Sequence, residues 1–258
     1  MVDIEISGVL EERLRRLVEL GVYSSISEAV RDAVRRLLDQ LDLKELAFKL
    51  YVSSDASFQY VSEFADTSFD EMIEYMVSKG FVPLIGIEST GDLTTLKEDK
   101  KYVLDPLTIY VIYKSELFKY FAKLPREGYE FLIPDSVKSW VEVLVARRLF
   151  HAFEYKGLIK FFETTGLKAP SLKTRLTRHE QYAINYVKKN NDCILLTEDI
   201  RTRKYARSRG VKAYSSISIL YTLKDNIDND SIADVLFSLK SIPLIIPASI
   251  MEVFGIAI

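Results

Sequence analysis

The chain has 258 residues, enough for one large domain or two small ones, and its apolar and charged fractions, 48% and 28%, are those of an ordinary globular protein. A formal net charge of −2 argues against a strongly basic nucleic-acid-binding protein. Cys193 is the single cysteine, so no intrachain disulfide can form, and we expect a reducing, cytoplasmic location. The start, MVDIEIS, lacks a secretion signal, and prolines and Glu252 interrupt the apolar tail 241–258, so we expect no membrane segment.

The N-terminal segment combines a strand pattern with two helix patterns. Residues 2–7, VDIEIS, alternate apolar and polar side chains, which predicts a short, half-buried strand. A first helix follows, and Ser25 and Glu28 have the spacing of a capping box that begins a second helix. A clean apolar stripe runs along this second helix from Ile26 to Leu41. One strand and two helices bury too little surface to fold alone, so we expect a second copy to complete the core.

The segments DIEIS and GVYSSISEAVRDAVRRLL, within residues 2–43, resemble a ribbon-helix-helix domain of the MetJ and Arc class. The resemblance implies a homodimer or a higher even-numbered oligomer, whose two-stranded ribbon enters the DNA major groove. Family members usually carry basic or amide side chains on the outer ribbon face, whereas this chain has Asp3, Glu5 and Ser7 there. Because phosphates repel carboxylates, dimerisation without strong DNA binding and sequence-specific operator binding both stay open. The candidate DNA contacts are Ser7 on the ribbon and, because a helix N-terminus can hold a phosphate, Ser25 and Ser27.

Residues 46–100 show no chemical motif. The pattern over 44–79 is mostly helical with polar breaks near 52–57 and 65–68, and 80–101 contains a strand pattern and a turn at Thr90-Gly91-Asp92. We therefore divide the chain into a ribbon-helix-helix domain (1–45), a mostly helical connector (46–100) and a third domain (101–258).

From residue 101 onward, apolar strand patterns alternate with helix patterns, which predicts an α/β domain with a mostly parallel sheet covered on both faces. The predicted strands lie near 102–104, 130–133, 193–197 and 211–214. The predicted helices lie near 107–122, 136–155, 178–189, 200–209 and 216–223.

Acidic residues follow two of the predicted strands: Asp105 follows KYVL, and Asp199 follows CILLTE. Sites in parallel sheets form beyond the carboxyl ends of the strands, so the two carboxylates would meet if the strands are neighbours. Two carboxylates at about 4 Å repel by about 4 kcal/mol at a dielectric near 20, and a shared cation removes this repulsion. Oxygen ligands select Mg²⁺ or Mn²⁺. The adjacent Arg201 and Arg203 would bind phosphate.

The pieces YVLDPLTIYVIYKSELFKYFAKL, EFLIPDSVKSWVEVL, RHEQYAINYVKKNNDCILLTEDIRTRKYARSRGVKAYSSISIL and PLIIPASIMEVFG resemble, in this order, a PIN domain. That family includes metal-dependent ribonucleases such as VapC-type toxins, so the resemblance implies a three-layer α/β/α fold, cleavage of RNA, and Mg²⁺ or Mn²⁺ held by Asp105, Glu180 and Asp199. Thr197 matches the usual hydroxyl neighbour and is a candidate phosphate ligand. Trp140 stands where the family has Glu, and Glu142, about 200° further around a helix, is the further metal-ligand candidate.

Each acid also has a structural interpretation. Asp105 before Pro106 and Asp199 could cap helices, and Glu180 could be a first-turn helix charge. The functional hypothesis is a Mg²⁺- or Mn²⁺-dependent endoribonuclease joined to an antitoxin-like dimerisation domain. The alternative is a catalytically inactive PIN scaffold that acts as a dimeric DNA- or RNA-binding regulator. A third interpretation makes the chain an assembly scaffold.

Overall fold

The computed structural model describes residues 5–139, 152–168, 170–171 and 173–256. The chain divides into two compact units, residues 1–46 and 47–258. The helices before the first strand are α1 Val9–Glu19, α2 Ile26–Asp39, α3 Leu43–Ser53, α4 Phe58–Phe64 and α5 Phe69–Ser78. The remaining elements are β1 Lys101–Leu104, α6 Pro106–Lys114, α7 Phe118–Phe121, β2 Glu130–Pro134, β3 Lys160–Phe162, α8 Arg178–Lys189, β4 Cys193–Leu196, α9 Ile200–Ser208, β5 Ala213–Tyr214, α10 Ser218–Leu223, α11 Asn229–Ser241 and α12 Ala248–Val253.

The first unit contains the two predicted helices. Ser25 caps α2, because its Oγ accepts a hydrogen bond from the N–H of Glu28 at 3.2 Å. The reciprocal half of the capping box involves a different residue, since the Glu28 carboxylate accepts from the N–H of Ser24 at 2.7 Å. Ser7 and Ser27, the other candidate DNA contacts, are exposed. Half of the predicted strand 2–7, including Asp3, lies outside the described residues, and the described half, 5–7, is not in a strand.

The first unit buries very little apolar surface. Ala29 is the one buried residue among 5–46. The apolar stripe is instead open to solvent, with exposed fractions between 41% and 59% for Leu10, Val34, Leu37, Leu38 and Leu41. These two helices by themselves therefore form no hydrophobic core.

The second unit is built on a five-stranded, all-parallel sheet with the strand order β3-β2-β1-β4-β5. The predicted parallel α/β architecture is thus confirmed. Strands β1 and β4 are neighbours, and Leu104 lies opposite Leu196. The residues that follow these two strands consequently leave the sheet at the same edge.

Three details of the predicted elements are wrong. Strand β3 was not expected, and its three residues are too few to show a pattern. The helix expected over 107–122 ends at Lys114, where the Ser115 hydroxyl donates to the carbonyl of Val111 at 2.8 Å. The helix expected over 136–155 starts as a 3₁₀ turn, Asp135–Ser139, whereas its end, 152–155, is helical as predicted, and residues 140–151 lie outside the described residues.

The sheet separates two hydrophobic cores. Alternate strand residues such as Tyr102, Leu104 and Ile133 join the larger core, with α3–α7 and α10–α12. Their neighbours, such as Val103 and Leu195, join the smaller core beneath α8 and α9. This alternation is the expected consequence of the two-residue period of a strand, and it produces helix, sheet and helix layers.

Residues 47–100 pack into the larger core of the second unit. Tyr51, Phe58, Met72 and Ile85 are at most 1% exposed. The chain near Ile85 also runs along the sheet edge, where Ile85 bridges to Asp199 in an antiparallel sense. The segment therefore lies directly against the residues that follow β4.

Candidate active site

The three predicted acids gather at the carboxyl edge of the sheet. Asp105 follows β1 and caps α6, Asp199 caps α9, and Glu180 lies in the first turn of α8. Each of them is 0% exposed. The negative charge of Asp199 raises the pKa of both other acids, and that of Asp105 also raises the pKa of Glu180. The three carboxyl groups therefore form one electrostatically coupled cluster, the acid cluster.

Asp199 is held entirely by main-chain donors. Its Oδ1 accepts from the N–H groups of Arg201 and Thr202, both at 2.9 Å, as an N-cap does. Its Oδ2 accepts from the N–H of Phe58 at 2.5 Å. Burial raises the pKa of Asp199, and these donors and the Arg201 charge oppose that rise.

Glu180 accepts hydrogen bonds from three donors. In its capping box, Oε2 accepts from the N–H of Thr177 at 2.7 Å, and it accepts from the hydroxyl of Ser57 at 2.8 Å. Its Oε1 accepts from the hydroxyl of Thr202. The pKa of Glu180 is nevertheless raised, first by burial and then by the negative charge of Asp199.

Asp105 is the acid that has one carboxylate oxygen, Oδ2, without a hydrogen bond from a described residue. Its Oδ1 accepts from the N–H of Thr108 at 2.8 Å. Its Oδ2 is buried and makes no hydrogen bond of normal geometry to a described residue. Burial raises the pKa of Asp105 to about 6, against the opposing effect of the Thr197 and Thr108 side chains.

The acid cluster has oxygen ligands that suit a hard divalent cation. In this conformation, however, protein donors already bind the oxygens of two of the three acids. Carboxylate oxygens are the ligands that Mg²⁺ and Mn²⁺ prefer, and Asp105 Oδ2 is available. The oxygens of Glu180 and Asp199, however, are engaged by protein donors. Over the described ranges, no group of three or more His, Cys, Asp or Glu side chains is arranged to hold a metal ion. The proposed ligand Glu142 and its neighbour Trp140 lie outside those ranges.

Residues 56–59, here called the covering segment, close the acid cluster from the side of α4. Ser57 caps α4 and binds Glu180, and the adjacent Phe58 N–H binds Asp199. Gln59 accepts from the N–H of Leu107, beside Asp105, at 3.2 Å, and its own Nε2 is buried without a hydrogen-bond partner among the residues that the structure describes. Sequence reasoning missed these residues. The polar break near 52–57 signalled a helix start but not a contact more than a hundred residues away.

The two arginines predicted to bind phosphate have other partners. The Arg201 guanidinium donates to the carbonyls of Tyr51 and Ala56, at 2.8 and 2.7 Å, and stacks on the Tyr51 ring. Arg203 is 1% exposed, pairs with Asp92 at 3.1 Å, and donates to the carbonyls of Gly86 and Thr197. In this conformation Arg203 holds the 86–92 segment and cannot reach a phosphate.

Thr197, the third candidate phosphate ligand, is also fully buried. Its hydroxyl accepts from the N–H of Asp199 at 3.3 Å. The neighbouring Glu198 points elsewhere, because its carboxylate accepts from the hydroxyl of Ser215 and the N–H of Ser216. The acidic pair after β4 is thus divided between two structural environments.

The second unit thus belongs to the class of α/β domains with a parallel sheet, and it carries an acid cluster at the carboxyl edge of that sheet. A family model described as DUF3368, a PIN domain, matches residues 101–254, more than half of the chain. The protein therefore belongs to this PIN-domain family. A comparison with curated proteins gave no match. No helix within the described ranges is long and apolar enough to cross a membrane.

Proposed function

We propose that the protein is a metal-dependent endoribonuclease of the PIN type, dimerised through a ribbon-helix-helix domain and derived from a fused toxin–antitoxin pair. The observation that carries the proposal is the convergence of Asp105, Glu180 and Asp199, which are far apart in the sequence. All three are fully buried, and burial together with the negative charge of Asp199 raises the pKa values of Asp105 and Glu180. Such mutual repulsion is unfavourable unless protons or a cation neutralise it.

In this proposal Asp105, Glu180 and Asp199 hold Mg²⁺ or Mn²⁺. The ion, when bound, lowers the pKa of a water molecule and stabilises developing charge during phosphodiester hydrolysis. The chain's own donors keep the acids in place: the Thr108 N–H orients Asp105, and Thr202 bridges Glu180 and Asp199. The donors of the covering segment compete with an ion for the oxygens of Glu180 and Asp199, so their departure would favour metal binding.

The direct test is cleavage of single-stranded RNA by the purified chain with Mn²⁺ and with a chelator. Asp199→Asn should abolish cleavage, because it removes a ligand charge while an amide can still cap α9. Asp228→Asn is the matched control, since Asp228 caps α11 through the N–H of Ser231 on an exposed surface. Equal residual cleavage by both variants, or cleavage that survives the chelator, would contradict the proposal.

The dimer part of the proposal is supported by the first unit. Its apolar stripe is largely exposed, and Ala29 is the one buried side chain among residues 5–46. A second copy that covers this stripe would supply the missing core. We further propose that the paired ribbons of such a dimer bind DNA through Ser7, Ser25 and Ser27.

A second candidate function, a catalytically inactive PIN scaffold that binds nucleic acid as a dimeric regulator, is favoured by the covering segment. The Phe58 N–H at the start of α4 and the Ser57 hydroxyl already stabilise two of the buried carboxylates by hydrogen bonds. Thermal melting with and without Mn²⁺ separates the two candidates. A ligand that binds only the native state raises the melting temperature, so the nuclease predicts an Asp199-dependent rise and the inactive scaffold predicts none.

A further inference from the structure

A cationic groove lies beside the acid cluster, between the outer face of α9 and residues 168, 171 and 173–176. Its volume is about 720 Å³. One acidic side chain, Asp55, lines it together with six cationic ones. The cationic residues are Lys168, Lys173, Arg175, Arg201, Lys204 and Arg209. For a chain with a formal net charge of −2, this is a marked local concentration of positive charge.

Helical geometry divides the arginine-rich segment into two faces. Lys204, Tyr205 and Ser208 follow Arg201 at intervals of three, four and seven residues, and all line the groove. Arg203 and Arg207 face the other way and both pair with Asp92. The cationic segment thus contains an inward pair, Arg203 and Arg207, that binds Asp92, and a groove side on which Lys204 and Arg209 are exposed while the Arg201 guanidinium is bound to main-chain carbonyls.

The charges on the groove side are available to an incoming anion. Lys168 and Lys173 are exposed, and neither makes an ion pair with a described residue. Arg209 lies over the Tyr205 ring, 5.0 Å from its centre. Lys204 pairs with Glu88 at 2.8 Å, but both side chains are exposed, so the pair is weak and a phosphate can replace the carboxylate.

The groove also borders the acid cluster. The carbonyl of Arg175, in its wall, accepts the N–H of Ser57 at 2.9 Å, and Ser57 in turn binds Glu180. Gln181, another lining residue, directly follows Glu180 on α8. A chain lying in the groove would therefore reach the covering segment and the carboxylates behind it.

We propose that this groove binds the sugar–phosphate backbone of single-stranded RNA and leads it toward the acid cluster, which rests on the proposed nuclease function. Lysine and arginine side chains supply phosphate contacts, and the half-buried Tyr205 supplies a ring on which a base can stack. A flexible single strand can follow a concave groove of this size, whereas a stiff duplex cannot.

The test is fluorescence anisotropy with a labelled oligouridine, the full chain, a chelator, and a series of salt concentrations. Each phosphate contact contributes about 0.7 to the slope of log affinity against log salt for single strands. The double variant Lys168→Gln/Lys173→Gln should therefore lower the slope by about 1.4 and weaken binding. The matched control, Lys97→Gln/Lys212→Gln, neutralises two exposed lysines that do not line the groove, and it should bind like the wild type.

The outcomes separate the groove from the nuclease activity. Loss of binding in the groove variant, with no cleavage by the wild type, would support RNA binding in the groove and refute the proposed nuclease function. Conversely, cleavage with unchanged affinity in the groove variant would overturn the groove alone. The groove is also overturned if the wild type does not bind oligouridine, if both double variants lose affinity equally, or if duplex RNA competes as well as single-stranded RNA.

Discussion

At the scale of single residues, the acids of the cluster each have a structural and a chemical role. Asp105 and Asp199 cap α6 and α9, and Glu180 completes the capping box of α8. The structural interpretation of each acid is therefore correct, yet it does not exclude a site. Because three helices begin at the same sheet edge, their caps bring three carboxylates together.

The raised pKa of Glu180 predicts that stability falls as the pH rises. Its folded-state pKa is about 8, above the ordinary value of 4.5, mainly because of burial. The folded state then holds its proton more tightly than the unfolded chain, so this contribution is complete below pH 4.5 and is lost as the pH rises through about 8. With a chelator present, the melting temperature should decrease as the pH is raised from 4.5 to about 8, and the decrease should be smaller in Glu180→Gln.

The control for this measurement is Glu252→Gln, which changes an exposed carboxylate on α12. It should keep the wild-type dependence of melting temperature on pH. Equal pH dependence in the wild type and in Glu180→Gln would show that the buried proton does not contribute to stability.

Arg203 illustrates a charge whose role is set by burial. Its guanidinium is 1% exposed and pairs with Asp92, which is 4% exposed. Arg203→Met should lower the free energy of unfolding by about 3 kcal/mol, because it removes one of the two guanidinium partners of the buried Asp92 and the donor to the Gly86 and Thr197 carbonyls. Arg209→Met, on the exposed end of the same segment, should change it by less than about 0.5 kcal/mol. Urea unfolding of both variants measures the difference, and similar small effects would refute a structural role for Arg203.

At the scale of elements, the start of α4 decides whether the acid cluster is accessible. The Phe58 N–H is buried and bonded to Asp199, and Ser57 Oγ is bonded to Glu180. Local opening of this helix start would release both carboxylates at the cost of these hydrogen bonds. A cation that binds the acids would offset that cost, so opening and metal binding should be coupled.

Hydrogen exchange can detect this coupling. The amide of Phe58 should exchange slowly in a chelator and faster with Mn²⁺, because an ion on Asp199 displaces its hydrogen bond. The start of α5 is the internal control, since Ser68 caps it by the same chemistry and Glu71 completes its capping box. A rise in melting temperature with Mn²⁺ but unchanged exchange at Phe58 would mean that the ion binds without moving the covering segment.

At the scale of the whole molecule, the two units differ in how they bury apolar surface. The second unit has a core on each face of its sheet. The first unit has Ala29 as its single buried residue within the described range 5–46, although its helices carry a regular apolar stripe. A stripe of this kind is stable in water only when another surface covers it.

We therefore predict that Val34→Glu/Leu38→Glu converts a dimer into a monomer. The two side chains are each 46% exposed and lie one turn apart on α2. The new negative charges of the two copies would therefore face each other across the interface. Phe237→Glu is the control, because Phe237 is 57% exposed on α11 in the second unit. Sedimentation equilibrium measures the outcome. A monomeric wild type, or a double variant that stays dimeric, would refute dimerisation through this face.

The accuracy of the sequence-based predictions depended on the range of the interactions involved. Helices with strong caps and clear periodicity, such as α8 and α9, were predicted to within a residue or two. The three-residue strand β3 was missed, because it is specified by its partner β2 more than by its own pattern. The division of 46–100 from 101–258 as domains stays a prediction, although both ranges pack in one compact unit.

The α/β alternation, the parallel sheet and the three carboxylates after strands or at helix starts could be predicted from the amino-acid sequence, because periodicity and capping are local properties. The folded chain was needed to show that β1 and β4 are neighbours, that Arg203 turns inward to Asp92, and that Ser57 and Phe58 close the acid cluster. These contacts join residues that are distant along the chain. Local pattern carries no information about them, since they follow from how the packed layers bury their apolar faces.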